Sequence, residues 1–533
     1  MSTTGQTITT AAVSPPAGGM TSADGGGTPV FFSEKAVSGV PWMIFSKAVL
    51  VFVYFALSVV VVRSLGREKY GVFTLVKTLA DYLLVFCGLG LNASLVRFIP
   101  ELAARRHLAG IRSLLWKTAV LQAVMVGLTA ALLVAWRPFL DRWFHVDFGW
   151  CLPLGALLIA GQLSKDYFND SFTALFQSRT VSLLAIGHGF LWLGTAWVLV
   201  TVWPIPISPV LAHGGTMLAV SGLSAVVLWR LLKRLAWRSP GWGIGRERVF
   251  KLSGATVLSA MFRTLMQKYT EVFFLGACFS PAVVGLYDLG YSTPQTAITL
   301  IPAALQTLMA SAFAEAYTRD PDCLPRLIQA AYKALILIAV PLAAFGVCFA
   351  PRGIVLIYGA EMAAAGWVAS CFCVLHLLPL ISMPLGMAIV VREKVIVTLP
   401  LLVLQVAVNL LLDWLLIPRF GMAGAVAAVG LTFILTVPVR LAVVRRLIGG
   451  VWFPAGFMVR VAVPTMVLAL LLLPLASRLN VVALLFLAAF YLGVYVLLVK
   501  HLRLLRPEDI TDLRRLELGN LNRVLNWLVP TRG

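Results

Sequence analysis

A chain of 533 residues that is 60% hydrophobic and only 12% charged is no water-soluble domain; one of this size would carry about 25% charged residues to cover its surface. The net charge of +21 does not mark a nucleic-acid binder, because the Lys and Arg residues fall in short turns between apolar runs and form no basic domain interleaved with aromatics. An all-α polytopic membrane protein remains, since apolar runs of about 20 residues recur along nearly the whole chain and leave no room for a large soluble domain.

In chain order, residues 1–35 form a nearly uncharged tail rich in Thr, Ser, Gly, Ala and Pro, expected to be disordered and cytoplasmic, without the basic start and apolar stretch of a cleaved signal. Hydrophobic runs then predict about fourteen membrane spans, near residues 42–62, 70–91, 112–136, 150–176, 181–203, 208–231, 250–277, 284–314, 327–350, 363–391, 395–416, 421–447, 453–475 and 480–500. Residues 36–231 form a first lobe of six spans, 232–249 a basic cytoplasmic linker, 250–449 a second lobe of six, and 450–503 two additional C-terminal helices. Residues 504–533 read as an amphipathic cytoplasmic tail, with Leu513, Leu516, Leu521, Val524, Leu525 and Leu528 near helical spacing.

Basic residues are retained on the cytoplasmic side during insertion, and they crowd the even-numbered connections. The second carries Arg97, Arg105, Arg106 and Arg112, the sixth seven Lys and Arg from Arg230 to Lys251, and the twelfth Arg440, Arg445, Arg446 and Arg460. The fifth and seventh carry none, so both termini are expected in the cytoplasm. The seven cysteines lack metal-ligand spacing and read as small hydrophobic residues. Two short stretches echo each other across the basic linker: Tyr70-Gly71-Val72-Phe73 opens the second span, and Val284-Gly285-Leu286-Tyr287 opens the eighth. Such echoes suit a two-lobe transporter built from repeats.

The first connection is more specific, reading Leu65-Gly66-Arg67-Glu68-Lys69-Tyr70-Gly71-Val72-Phe73 and later Gly88-Leu89-Gly90-Leu91-Asn92-Ala93-Ser94-Leu95-Val96-Arg97-Phe98. With Val283-Val284-Gly285-Leu286-Tyr287 and Ile417-Pro418-Arg419-Phe420-Gly421-Met422-Ala423-Gly424-Ala425, this resembles the polysaccharide transporters. Those are oligosaccharide flippases of the multidrug/oligosaccharidyl-lipid/polysaccharide (MOP) exporter superfamily. The resemblance spans roughly residues 40–450 and implies two six-helix bundles around a central cavity that alternates between the membrane sides. The long N-terminal tail and the amphipathic C-terminal one depart from that pattern.

A charge within an apolar span costs at least about 2.5–3.5 kcal/mol, so each one asks for a partner, a wet cavity or a position near an end. Lys77 and Asp81 can pair at four residues, Lys268 and Glu271 at three, as structural pairs or as functional ones. Lys47 and Arg263 have no local carboxylate. They begin opposite lobes, where the resemblance places cavity-lining helices, and they would suit the phosphates of a lipid-linked sugar; snorkelling or pairing with a distant helix is the alternative. The fourth span carries Gln162, Lys165, Asp166, Asn169, Asp170, Thr173 and Gln177 at three- and four-residue steps. That wet face either lines the cavity, where Asp166 and Asp170 would meet sugar hydroxyls as Lys77 and Asp81 would, or lies against another helix.

In the eleventh span Asn409 and Asp413 share a face, and the resemblance to lipid II flippases implies an oxygen-rich cation site in the second lobe. Glu271, Asn409, Asp413 and Thr432 could hold sodium, or Glu271 and Asp413 could carry protons; Asp413 could equally sit at the interface beside Arg419. No other cofactor is expected, and no glycine loop for ATP, metal cluster or nucleophilic triad occurs in the sequence. The reading is therefore a flippase, not an enzyme, in a bacterial inner membrane. It would move undecaprenyl-pyrophosphate oligosaccharide among membrane lipids, with a polysaccharide polymerase and glycosyltransferases as neighbours and no nucleic-acid partner. A membrane glycosyltransferase or polymerase, and a lipid II or multidrug exporter, stay open as alternatives.

Overall fold

Every backbone group in hydrocarbon must be satisfied within the protein, so the apolar runs fold as helices joined by turns. The computed structural model describes residues 30–104, 107–234, 246–265, 269–392, 394, 397–478, 480–501 and 505. The first-half helices are α1 (Val30–Gly88), α2 (Leu91–Ala104), α3 (Leu108–Phe144), α4 (Cys151–Ala174), α5 (Ser178–Val202) and α6 (Ile207–Arg234). In the second half come α7 (Arg246–Leu265), α8 (Tyr269–Cys278), α9 (Pro281–Arg319), α10 (Leu324–Tyr358), α11 (Ala365–Leu375), α12 (Leu377–Val391), α13 (Thr398–Phe420) and α14 (Met422–Ile448). The chain continues through α15 (Ala455–Leu472) and α16 (Val481–His501), and no strand occurs among the described residues.

Each expected span coincides with one of these helices or with a pair. The first two are folded into α1, which turns at Gly66 with φ of 70°, a backbone state that favours glycine. The seventh is covered by α7 and α8 on either side of residues 266–268, which lie outside the described residues, and the tenth is divided between α11 and α12 at His376, whose Nε2 donates to the Tyr291 carbonyl at 3.1 Å. Ten of the described helices are long and apolar enough to cross a membrane by length and composition. α4, with Lys165, Asp166 and Asp170, is not among them. α1 starts at Val30, so residues 30–35 of the expected tail are helical, the run Val30–Lys35 holding neither Gly nor Pro to stop the helix. The rest of that tail, residues 235–245 of the linker and the amphipathic segment 506–529 lie outside the described residues.

α1 packs on α4 and α5, and α4 on α3 and α6; in the second half α10 packs on α9 and α11, and α13 on α8 and α14. α1 also lies along α9, and this crossing joins the halves, with Val61, Val62, Tyr70, Val284 and Tyr287 in one buried apolar core. α15 and α16 pack against α10, with the Tyr491 hydroxyl donating to the Pro341 and Thr465 carbonyls at 3.1 and 3.2 Å. Large apolar side chains such as Phe52, Leu128, Leu485 and Phe486 are exposed, as a lipid-facing surface requires.

Candidate functional site

The second half holds a buried oxygen cluster where α8 meets α13. The Glu271 side chain is buried on α8, and the Asn409 amide of α13 donates to its Oε1 at 3.2 Å. The Thr270 hydroxyl donates to Asn409 Oδ1 at 2.9 Å and fixes the amide's orientation. One helical turn further along α13, Asp413 is fully buried beside Glu271 and Thr270. Among the described residues Glu271 Oε2 and the buried Tyr287 hydroxyl have no partner in bonding geometry, and Asp413 has beside it the Thr270 hydroxyl, which bonds Asn409. Asp413 is thus enclosed by protein on α13. Lys268, the expected partner of Glu271, lies outside the described residues.

Two buried carboxylates side by side are costly unless a positive charge joins them, and these oxygens could hold one. Its carboxylate and amide oxygens are hard donors that suit an alkali cation or a proton. Among the described residues no three His, Cys, Asp or Glu side chains converge in the manner of a transition-metal site. Glu271, Asn409 and Thr432 also line one cavity of about 320 Å³, the Thr432 hydroxyl donating to the Ala428 carbonyl at 2.7 Å and leaving its lone pairs open. The structure therefore brings all four expected cation-site residues into one region.

The first half gathers the polar residues of α1 and α4. Lys77 and Asp81 pair at 2.5 Å and line a small cavity with Gln162 and His213. Gln162 Nε2 donates to both Asp166 oxygens at 2.9 Å, and Asp166 lines a second cavity of about 300 Å³ with Lys165, Asn169 and His188. Asp170 instead bonds Asn92, which also accepts from Gln122 at 2.8 Å. Lys47 is exposed on α1, one turn before Leu50 of that second cavity, and Arg263 lies on α7 with its side chain outside the described residues. Sequence reasoning missed the interior aromatic stack of Trp192 on His213, with centroids 3.6 Å apart. Its signal was a His within each of two otherwise apolar spans.

Among the described residues, a set of contacts bridges the two halves at each end, here called a seal. At the end bearing Gly66, Arg63 donates to the Leu356 and Ile357 carbonyls at 2.7 Å each, and Ser58 lies 3.1 Å from the Tyr358 hydroxyl. Nearby, the Tyr70 hydroxyl donates to Asp288. The echoing glycines meet here: a Cβ on Gly285 would come within 2.7 Å of the Arg67 carbonyl oxygen and 3.1 Å of the Gly71 nitrogen. At the basic end, the Ser94 and Ser253 hydroxyls lie 3.1 Å apart, and Arg248 reaches Glu101 at 3.4 Å. Two helical halves bridged by one set of contacts at each end have a geometry that suits alternating access.

The profile of the family described as "Polysaccharide biosynthesis protein" matches residues 60–366, more than half of the chain. The chain belongs to that family. The stretches that resemble polysaccharide transporters in the first connection and around Gly285 fall within the matched residues. Over 378 residues this family member is 22% identical to the "probable low-salt glycan biosynthesis flippase Agl15" of Haloferax volcanii, covering 70% of this chain and 75% of that one. It is 26% identical over 150 residues to the "uncharacterized membrane protein MJ1068" of Methanocaldococcus jannaschii, spanning 28% of this chain and only 30% of that relative's length.

Among solved structures, the lipid II flippase MurJ in an inward closed conformation superposes with a TM-score of 0.65 at 11% identity, covering 86% of this chain and 97% of MurJ. An inward-facing multidrug resistance MATE transporter of the MOP superfamily gives 0.57 at 16%, covering 75% and 94%. The family member thus shares the all-helical fold of MurJ and the MATE transporter, and its relative Agl15 is named a probable flippase.

Proposed function

We propose that this protein is a flippase that carries a lipid-linked oligosaccharide, on undecaprenyl pyrophosphate, from the cytoplasmic to the periplasmic leaflet of a bacterial inner membrane. The observation that carries the reading is the pair of seals across a single interface between the two halves, because alternate opening of the seals exposes that interface to one side at a time. The glycan-flippase name of Agl15 supports the substrate class. In this reading both termini are cytoplasmic, residues 36–231 and 250–449 act as the two lobes, and a polymerase and glycosyltransferases consume and supply the glycan.

Lys47 and Arg263 hold the pyrophosphate, whose charge is common to carriers with different sugars. Lys77, Asp81, Asp166 and Asp170 offer hydrogen bonds to hydroxyls. Glu271, Asn409, Asp413 and Thr432 bind Na⁺ or H⁺, whose release accompanies reorientation. The ion supplies the driving force, and the chain's own oxygens replace its hydration shell.

The test is flipping in vesicles loaded with defined lipid-linked sugars: the protein should expose labelled glycan on the far leaflet above the rate of empty vesicles. Sugar transfer by the purified protein without leaflet movement would favour the membrane glycosyltransferase reading. Lys47→Ala with Arg263→Ala should lower flipping about tenfold or more at unchanged membrane abundance, since each charge-assisted phosphate contact is worth roughly 1.5–3 kcal/mol. Retained flipping by the double variant removes the assignment.

A further inference from the structure

The cavity that reaches Glu271, Asn409 and Thr432 continues along α13 and α14 to Gln405 and Arg440, and every described residue lining it belongs to the second half. We propose that it is a separate aqueous route by which the coupling cation leaves its site toward the basic end of α14, with Arg440 as a fixed positive charge at the mouth. The proposal rests on the cation-coupled reading above.

Three observations carry it. First, three of the four cation-site residues, Glu271, Asn409 and Thr432, line the cavity, so the site is open to it. Glu271 is 3% exposed, and its Oε2 has no donor among the described residues. Second, the walls carry Tyr291, Gln295, His376 and Ser382 among the apolar Leu375, Leu402, Val429 and Phe433, whereas a pure packing void in a membrane protein would be apolar throughout. Third, the mouth is electrostatically marked. Arg440 donates to Gln405 Oε1 at 3.2 Å, and no ion pair is recorded for it among the described residues. Arg445 and Arg446 follow one turn further on.

Eight residues separate Thr432 from Arg440, about 12 Å along a helix at 1.5 Å per residue, and Gln405 is about 6 Å from Asn409 on the same scale. The cavity thus covers a large part of one leaflet's depth. An ion using it need not enter the interface where the glycan moves, and ion and glycan then exchange without displacing one another. A positive charge across about 12 Å at an effective dielectric near 20 weakens cation binding by roughly a factor of ten, so Arg440 keeps the site's hold on its ion loose while the polar walls, not Arg440, make the path.

The experiment reads accessibility and affinity separately. Ser382→Cys and Gln405→Cys are placed singly in the full chain with its seven free cysteines replaced by alanine. Both should react with membrane-impermeant trimethylammonium-ethyl methanethiosulfonate from the face bearing Arg445 and Arg446, and keep reacting when lipid-linked glycan occupies the interface. Reaction only from the opposite face, reaction from neither face, or protection that follows glycan occupancy overturns the separate route. In the chain with its native cysteines, Arg440→Gln should tighten sodium binding about tenfold, read as the sodium concentration that half-stabilises the purified protein, and Arg440→Lys should leave it near the parent value. If the ion is a proton, the same shift appears as a tenfold change in the proton concentration at half-response. An unchanged midpoint in Arg440→Gln overturns the role given to Arg440. A parent protein indifferent to both sodium and protons defeats the coupling reading itself, and the labelling pattern then still decides whether the cavity opens to that face.

Discussion

Asp413→Asn is expected to slow cation-driven flipping by about tenfold or more while glycan binding stays within about threefold, because the substitution removes one charge from the oxygen cluster and nearly preserves volume. The stability of the purified protein separates this account from a structural one. Asp413 is fully buried next to Glu271, with the Thr270 hydroxyl beside it and no ion pair among the described residues. Replacing an uncompensated buried charge with a neutral amide should raise the melting temperature in cation-free buffer and abolish the rise that sodium or acid gives the parent. A carboxylate that merely holds the fold predicts the opposite, a lower melting temperature in every buffer. Glu271→Gln should behave alike, and the double variant should lose less than the sum of the two, since both changes disable one site. The exchange Lys268→Glu with Glu271→Lys should not restore transport, because Asn409 holds Glu271 in place at 3.2 Å. Restored transport with unchanged ion dependence would reduce Glu271 to half of a structural pair.

What the sequence could reveal about this site follows from how the chemistry is spread along the chain. Apolar runs were legible because the solvent imposes them: a segment of about 20 residues in hydrocarbon has few alternatives to a helix. The wet face of α4 was legible for the same reason, its Gln162–Asp166 spacing being one that a helix brings together. Asn409 and Asp413 could be placed on one face by their spacing of four. Whether that face met the interior or the interface near Arg419 depended on α8, which lies some 140 residues earlier and approaches only in the folded state. The cavity toward Arg440 was hidden likewise, because Arg440 reads as one more basic residue of a cytoplasmic turn until Gln405 of α13 is seen beside it. Kinks were legible in part. Gly66 lay in a connection that was expected to turn, whereas the break between α11 and α12 falls inside a continuous apolar run.

Opening of the seal beside Gly66 should produce the second large effect, because the glycine crossing within it sets backbone against backbone and cannot relax locally. Tyr70 and Asp288 are 218 residues apart, yet they join the halves directly, and the glycines beside them set how closely α1 and α9 approach. A Cβ at position 71 would overlap the Pro281 carbonyl, and one at 285 would press on Arg67 and Gly71 backbone atoms, so neither can be accommodated by turning a side chain. Gly71→Val and Gly285→Val are therefore expected to hold the two halves apart at this end, lowering flipping by about tenfold or more, since interfaces of this kind switch between discrete arrangements. Spin labels at the exposed positions Glu68 and Glu361, on opposite sides of the seal, should report a longer distance in either variant than in the parent chain. Tyr70→Phe preserves the bulk and removes only the hydrogen bond to a charged group, worth about 1.5–3 kcal/mol, so it should shift the same equilibrium partway and slow flipping less than the valine variants do. A Gly71→Val protein that flips at the parental rate with an unchanged label distance would show that the glycine crossing is ordinary helix packing and that the seal does not gate transport.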